Sequence, residues 1–178
     1  MRQGSGYVVQ DYREVAGLEL LPELTALAEG RGENVAPIIA DLLEVRRRMA
    51  VMALERLAAR AAEGALDIAR LEAAVKRFCE LAADDAPIDD IADADLAITA
   101  AVLDATGSLV LGLILNPVGL VVREVAPLRA AIYRAPKTNA AAYQMLLQWL
   151  KAPQLEAIPL VLAELERRDA ASVALFED

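Results

Sequence analysis

A carboxylate stands on a helix face that is otherwise apolar. Asp95 falls on the same side of a predicted helix as Ile91, Ile98 and Val102, and Thr99 widens that face. Burying an unpaired carboxylate costs several kcal/mol or raises its pKa, so Asp95 needs a cation, a metal ion, a hydroxyl or a ligand beside it. Asp95 is therefore the first candidate for a binding site. The alternative is an aspartate that only caps or pairs inside a plain helical bundle.

A cation occupies the same kind of position on another predicted helix. Arg46 lies about 40° from Leu42 at 100° per residue, on the apolar stripe of a long helix over residues 35–62. Arg47 and Arg48 point elsewhere on the same wheel. Either Arg46 is an inward cation, or its aliphatic stem packs on the core while its guanidinium reaches solvent.

Several kinds of catalytic and metal chemistry are excluded by residue types that the chain lacks. The sequence has no histidine, and Cys79 is its only cysteine, which excludes Cys/His zinc sites, internal disulfides and histidine-based catalytic triads. Cys79 lies beside an apolar stripe, as a small core residue does. No constellation for catalysis remains, so we expect a protein that is not an enzyme, has no cofactor and works in a reducing, cytoplasmic setting.

The net charge of −9 argues against direct binding of duplex nucleic acid, which depends on clustered cations. An uncharged run over residues 105–122 has about the length of a membrane span. It contains Asn116, Pro117 and three glycines, however, and is better explained as a buried central helix. We therefore expect neither a nucleic-acid nor a membrane partner for this chain alone.

The elements that must position these residues are helices. The chain has 178 residues, of which 57% are hydrophobic and only 4% aromatic, and this composition favours one all-α domain. We predict an antiparallel bundle of about seven helices. The predicted segments are 15–27 with a division at Pro22, 35–62, 66–83, the Asp95 helix after Pro87, a helix from Ser108 to about Tyr133 kinked by Pro117 and Pro127, a helix capped by Thr138 or Asn139 and ending near Lys151, and a last helix after Pro153.

The first residues differ from the rest. Gly4, Ser5 and Gly6 suit a tight turn, and the following Tyr7, Val8 and Val9 favour a β-strand, so this segment reads as the end of a hairpin whose partner strand is missing. We expect a short N-terminal β remnant in residues 1–12 and the helical domain in residues 13–178.

Three segments resemble the C-terminal ligand-sensing domain of FadR-type transcriptional regulators in the GntR superfamily. ATGSLVLGLILN at residues 105–116 is similar to the turn and helix of that family, and LLEVRRRM at residues 42–49 is similar to its helix with E-V-R, which places Arg46 on the family arginine. Asp95 falls where related sensors have the aspartate of a D-x-x-x-H metal motif. RQGSGYVV at residues 2–9 resembles the wing of the winged-helix DNA-binding domain that precedes the sensor.

The chain differs from this family at the positions that bind metal ions or acyl-CoA. In the metal-binding sensors three histidines join the aspartate, and their positions here are Thr99, Tyr143 and Leu165, none of which replaces imidazole as a metal ligand. The residues associated with acyl-CoA binding in the last helix of FadR correspond to Glu166, Asp169 and Val173 here, all of them different. The resemblance therefore implies a metal-free sensor whose effector is not fixed.

From the helix phases and the resemblance together, we expect Arg46, Asp95, Thr99 and Tyr143 to surround one interior cavity and to bind a small organic acid or acyl compound. When the cavity is empty, Arg46 either pairs directly with Asp95 or waits for an acidic ligand. The expected partners are this effector and a second copy in a homodimer, with DNA bound only through a winged-helix domain missing from this chain. The alternative function is a helical dimerisation or interaction module without a ligand.

Overall fold

The computed structural model describes residues 11–176 apart from the side chain of Arg13, and it confirms the all-α fold. The β-prone segment predicted near Tyr7 lies outside the described residues. Within them, three 3₁₀ turns accompany the helices at Leu18–Leu20, Leu155–Ala157 and Ala174–Phe176. The α-helices are α1 (Tyr12–Val15), α2 (Leu21–Gly30), α3 (Ala36–Ala62), α4 (Ala69–Ala83), α5 (Ile88–Ala105), α6 (Leu109–Glu124), α7 (Ala126–Ile132), α8 (Pro136–Leu150) and α9 (Ile158–Val173).

Helix α3 is the longest of these helices and carries one side of the core. Ile39, Leu43 and Leu57 on α3 are fully buried, because their spacing keeps them on one face through the 27 residues of the helix. That face packs against α9 and also contacts α5, α6 and α8. Helix α4 packs against both α5 and α8, which brings the three predicted site helices, α3, α5 and α8, around one interior.

The turn between α5 and α6 forms as its sequence predicts. Gly107 adopts φ +66°, a left-handed conformation that costs glycine little because it has no Cβ. The side chain of Ser108 then caps α6 by accepting a hydrogen bond from the backbone N–H of Leu111 at 3.3 Å. Thr106, which is fully buried, donates its hydroxyl to the carbonyl of Leu103 at 2.6 Å and fixes the end of α5.

Of the two prolines predicted to kink this segment, Pro117 lies inside the continuous helix α6, and the chain bends at Val125, two residues before Pro127. Pro117 is accommodated inside α6, where the carbonyl that its missing N–H leaves free belongs to the exposed Leu113. Pro127 acts differently, since it lies in the first turn of α7 and cannot donate to the carbonyl of Arg123. The guanidinium of Arg129 donates to that carbonyl.

Helices α6 and α7 meet at 96° across this bend. Within residues 11–176, no single helix is long and apolar enough to cross a membrane, and α6 and α7 reach that length and composition only as this bent pair.

The predicted cap of α8 is wrong. The helix begins at Pro136 and its N-cap position is Ala135, so neither Thr138 nor Asn139 caps it. The rigid φ of proline suits the first helical turn, which places the start three or four residues upstream of the predicted one. Asn139 faces back towards α7 instead, where its side-chain amide donates to the carbonyl of Ile132 at 3.0 Å. This contact ties α8 to the end of α7 beside the predicted site.

Candidate functional site

Asp95 lies between two tyrosine hydroxyls. Tyr133, the residue that follows α7, donates to Oδ2 of Asp95 at 2.7 Å, and Tyr143 on α8 donates to Oδ1. Tyr143 is held in place by Phe78 on α4, whose ring meets the tyrosine ring edge to face with centroids 5.2 Å apart. The carboxylate that the helix pattern placed inside is therefore satisfied by hydroxyls from two other helical segments.

Burial controls the protonation of this cluster. Removal from water raises the pKa of Asp95 above its ordinary value of 3.8, against the opposing effects of the two tyrosine hydrogen bonds and of the positive charge of Arg46. The pKa values of Tyr133 and Tyr143 are also raised, first by burial and then by the charge of Asp95. Both hydroxyls consequently remain hydrogen-bond donors at neutral pH.

Arg46 is an inward cation, but its ion-pair partner is Asp169 on α9, not Asp95. Its Nη2 lies 2.7 Å from Oδ1 of Asp169, while Nη1 of Arg47 lies 2.6 Å from Oδ2 of the same carboxylate. The prediction that Arg47 points elsewhere is wrong, because the long arginine stem brings its guanidinium round to the α3–α9 interface. Arg48 remains outside and pairs with the exposed Glu44.

Asp95, Tyr143, Arg46 and Asp169 line a small, partly open cavity of about 120 Å³ between α3, α5, α8, α9 and the end of α7. We call it the polar cavity, because most of its lining residues are polar. Three predicted site residues, Arg46, Asp95 and Tyr143, line it. Thr99, the fourth, is partly buried one turn after Asp95 on α5 and is not among the lining residues. The other residues that line the cavity are Ile132, Asn139, Ala142, Leu165, Arg168, Asp169 and Ser172.

An apolar groove adjoins the polar cavity. It has a volume of about 340 Å³, lies between α8, α9 and Leu54 of α3, and shares Ala142, Leu165 and Arg168 with the cavity. Arg168 stands at the junction, where its Nε donates to Oε1 of Glu164 at 2.7 Å. A ligand with a polar head and an apolar tail could therefore occupy both spaces at once.

Two residues of this cluster, Asp169 and Tyr133, are not among the predicted site residues. Asp169 lies one turn after Leu165, so it continues the apolar face of α9 just as Asp95 continues that of α5. The helix pattern of α9 therefore already marked Asp169 as an inward charge. Tyr133 had no such signal, because its contact with Asp95 depends on how the segment after the 96° bend packs against α5.

The raised pKa of Asp95 leads to a pH-dependent prediction. The folded chain holds this proton to higher pH than the unfolded chain, so the contribution of Asp95 to stability falls as pH rises above about 3.8. Asparagine has nearly the same shape but does not ionise, so the Asp95→Asn variant does not lose stability at this position as the pH rises. We expect the free energy of unfolding of the variant, relative to the parent, to increase from pH 4 to pH 7 in urea titrations.

Glu164 needs separate treatment in that experiment. Hydrogen bonds from Arg167 and Arg168 lower the pKa of Glu164 to about 2. The contribution of Glu164 to the free energy of unfolding is therefore present above about pH 4.5 and is lost as the pH falls below that value, which is opposite to the effect of Asp95. Taking the difference between variant and parent at each pH cancels this background. A difference that stays constant or declines between pH 4 and pH 7 would contradict the assignment of a raised pKa to Asp95.

The donor set also leads to a prediction about metals. Within residues 11–176, no three histidine, cysteine, aspartate or glutamate side chains are placed to share an ion, and both oxygens of Asp95 and of Asp169 already accept hydrogen bonds. We expect elemental analysis of the dialysed protein to find far less than one zinc, nickel or manganese per chain. One equivalent of such a metal would disprove a metal-free site.

Comparison with known proteins gives one match. The model of the FCD domain family matches residues 41–170, which is well over half of the chain and includes Arg46, Asp95 and Tyr143. No curated protein and no solved structure matches the chain significantly.

Proposed function

The chain belongs to the FCD domain family, the effector-binding C-terminal domains of GntR-family transcription regulators, and from this membership we propose that it senses a small organic acid without a metal ion. The polar cavity is the proposed binding site, with Arg46 and Tyr143 as the ligand contacts that the observations favour most. The domain is a sensor in this proposal and does not catalyse a reaction.

The charge around the cavity supports an anionic effector. Arg46 and Arg47 share the single carboxylate of Asp169, which leaves this trio with one excess positive charge. Asp95 does not offset it fully, because burial favours the neutral form of that carboxyl group. An incoming carboxylate would restore the balance and accept charge-assisted hydrogen bonds from Arg46. This excess cation beside an open cavity is the observation that carries the proposal.

The dimensions of the site favour a particular kind of acid. The cavity of about 120 Å³ is smaller than the usual sites for drug-sized ligands, so it suits the carboxylate end of an acid and not a bulky group. A longer chain would continue past Arg168 into the apolar groove between α8 and α9. We therefore propose that the effector is either a short organic acid or an acyl compound whose tail lies in the groove.

A chain-length series tests this proposal. Thermal unfolding would be followed with acetate, butyrate, hexanoate and octanoate, and a bound acid should raise the melting temperature as its concentration exceeds Kd. Arg46→Met should abolish the response, while Arg48→Met, which alters an exposed arginine of the same helix, should leave it unchanged. If no acid shifts the parent, or if Arg46→Met responds like the parent, the proposed site is wrong.

In the intact regulator, we propose that acid binding alters how two DNA-binding heads are held. Such coupling requires that the effector bind one arrangement more tightly than the other. With a net charge of −9, the chain itself is unsuited to duplex DNA, so we assign DNA contact to a winged-helix domain that acts with it.

A second candidate function, the helical dimerisation module, has one observation in its favour. Helix α6 exposes a row of large apolar side chains, with Leu109 77% and Leu113 64% exposed and Val110, Ile114 and Leu120 close by. Such a face suits a homodimer, which the sensor proposal also includes. A module without a ligand would lose self-association on Leu113→Glu and show no response to acids. A sensor would respond to acids through Arg46.

A further inference from the structure

Asp169 is held as a bound ligand carboxylate would be held. Its two oxygens accept from two different arginines at 2.7 and 2.6 Å, and its side chain is only 5% exposed. Short, charge-assisted hydrogen bonds from guanidinium groups are among the strongest contacts that a protein makes to a carboxylate. Here the anion comes from the chain itself, on the opposite helix.

The two arginines differ in their access to solvent. The side chain of Arg46 is 31% exposed and lines the polar cavity, whereas that of Arg47 is 18% exposed and lines a second cavity of about 180 Å³ on the other side of the α3–α9 interface. An anion that enters the polar cavity therefore meets Arg46 and Asp169 together. Arg47 remains available to keep Asp169 paired if Arg46 is taken by another carboxylate.

We propose that Asp169 is a built-in anion that fills the carboxylate site of Arg46, and that an acid effector binds by taking its place there. This inference rests on the proposed function and adds the residue that sets the affinity. Displacement would loosen one of the contacts that join α9 to α3, so α9 is the element that responds to the effector. The occupied site also implies weak binding of acids by the parent chain.

The test compares the parent with Asp169→Asn by isothermal titration calorimetry, using acetate and butyrate as probes and butyramide as the uncharged control ligand. Asp104→Asn is the matched control variant, because Asp104 is an exposed carboxylate that pairs with Arg70. We expect Asp169→Asn to bind butyrate at least tenfold more tightly than the parent, with no change in Asp104→Asn and no binding of butyramide.

The outcomes separate this inference from the proposed function. Equal affinity of parent and Asp169→Asn for butyrate would overturn the role of Asp169 and leave acid sensing intact. Tight binding by Asp169→Asn with none by the parent would support the built-in anion and remove acid sensing by the parent. If neither chain binds any acid, both proposals fail.

A second measurement covers the case in which Asp169→Asn unfolds too easily for calorimetry. Asp169→Ser would be melted in acetate and in chloride of equal ionic strength, so that screening is the same. Acetate should raise the melting temperature of Asp169→Ser more than that of the parent. An equal effect of the two salts on Asp169→Ser would show that the emptied position is not a carboxylate site.

Discussion

Replacing Arg46 and Arg47 together with methionine should lower the free energy of unfolding by about 3–5 kcal/mol, the usual effect of leaving a buried charge without its partner. The stranded charge is that of Asp169, which is 5% exposed and pairs with both arginines. Methionine keeps most of the stem volume, so the loss reports on charge and not on packing. Urea unfolding at pH 7 and low salt measures it.

The single variants and a rescue complete the experiment. Arg46→Met or Arg47→Met alone leaves Asp169 with one arginine, so each should cost about 1.5 kcal/mol, and the double loss should exceed the sum. Adding Asp169→Asn to the double variant should recover part of the stability, because no charge is then stranded. Additive losses below about 0.5 kcal/mol would show that this ion cluster is no more than a surface network.

Phe78→Ala should cost about 3–5 kcal/mol, the range for emptying a large aromatic position in a packed core. Phe78 is fully buried on α4. Its edge-to-face contact with Tyr143 stabilises the fold by about 0.5–1.5 kcal/mol beyond the effect of burying the ring. Its loss should also let the Tyr143 ring move, which weakens the hydrogen bond to Asp95 and lowers acid affinity. Urea unfolding and butyrate titration of the same sample measure the two effects.

Leu57→Ala is the matched control for Phe78→Ala. Leu57 is fully buried on α3 and is not among the residues that line the polar cavity, so its substitution should lower stability by about 2–5 kcal/mol without changing acid affinity. If both variants reduce acid affinity equally, the effect of Phe78→Ala reflects general instability. The orienting role of Phe78 would then be wrong.

The fold was predictable because local signals agreed with one another. Helix α3 was predicted at 35–62 and spans Ala36–Ala62. Its apolar residues recur with the period of a helix over many turns, and this pattern is not compatible with a strand. The turn at Gly107 and Ser108 formed as expected for the same reason, as both residues suit their backbone positions. Where proline was the main signal, the two positions had different outcomes, because Pro117 lies inside the continuous helix α6 while Pro127 lies beside the bend between α6 and α7.

The sequence predicted several residues of the site, but it did not predict which of them contact one another. Helix phase identified Asp95 as an inward charge and Arg46 as a candidate for one, yet phase does not tell which inward charges meet across the core. The partner of Arg46 is Asp169, 123 residues away in sequence, and the partners of Asp95 are Tyr133 and Tyr143. Such pairings depend on how α9 and α7 are packed, which no local pattern in this chain specifies.

Binding of an organic acid in the polar cavity at Arg46 would be visible in side-chain NMR spectra of the folded chain. Proton–nitrogen spectra of the arginine Nε–H and asparagine amide groups would be recorded while butyrate and then octanoate are added. We expect saturable shifts of the Arg46 and Asn139 side-chain signals, with those of Arg48 unchanged. Signals of Arg46 and Asn139 that stay fixed at millimolar acid, or shifts confined to the exposed face of α6, would contradict it.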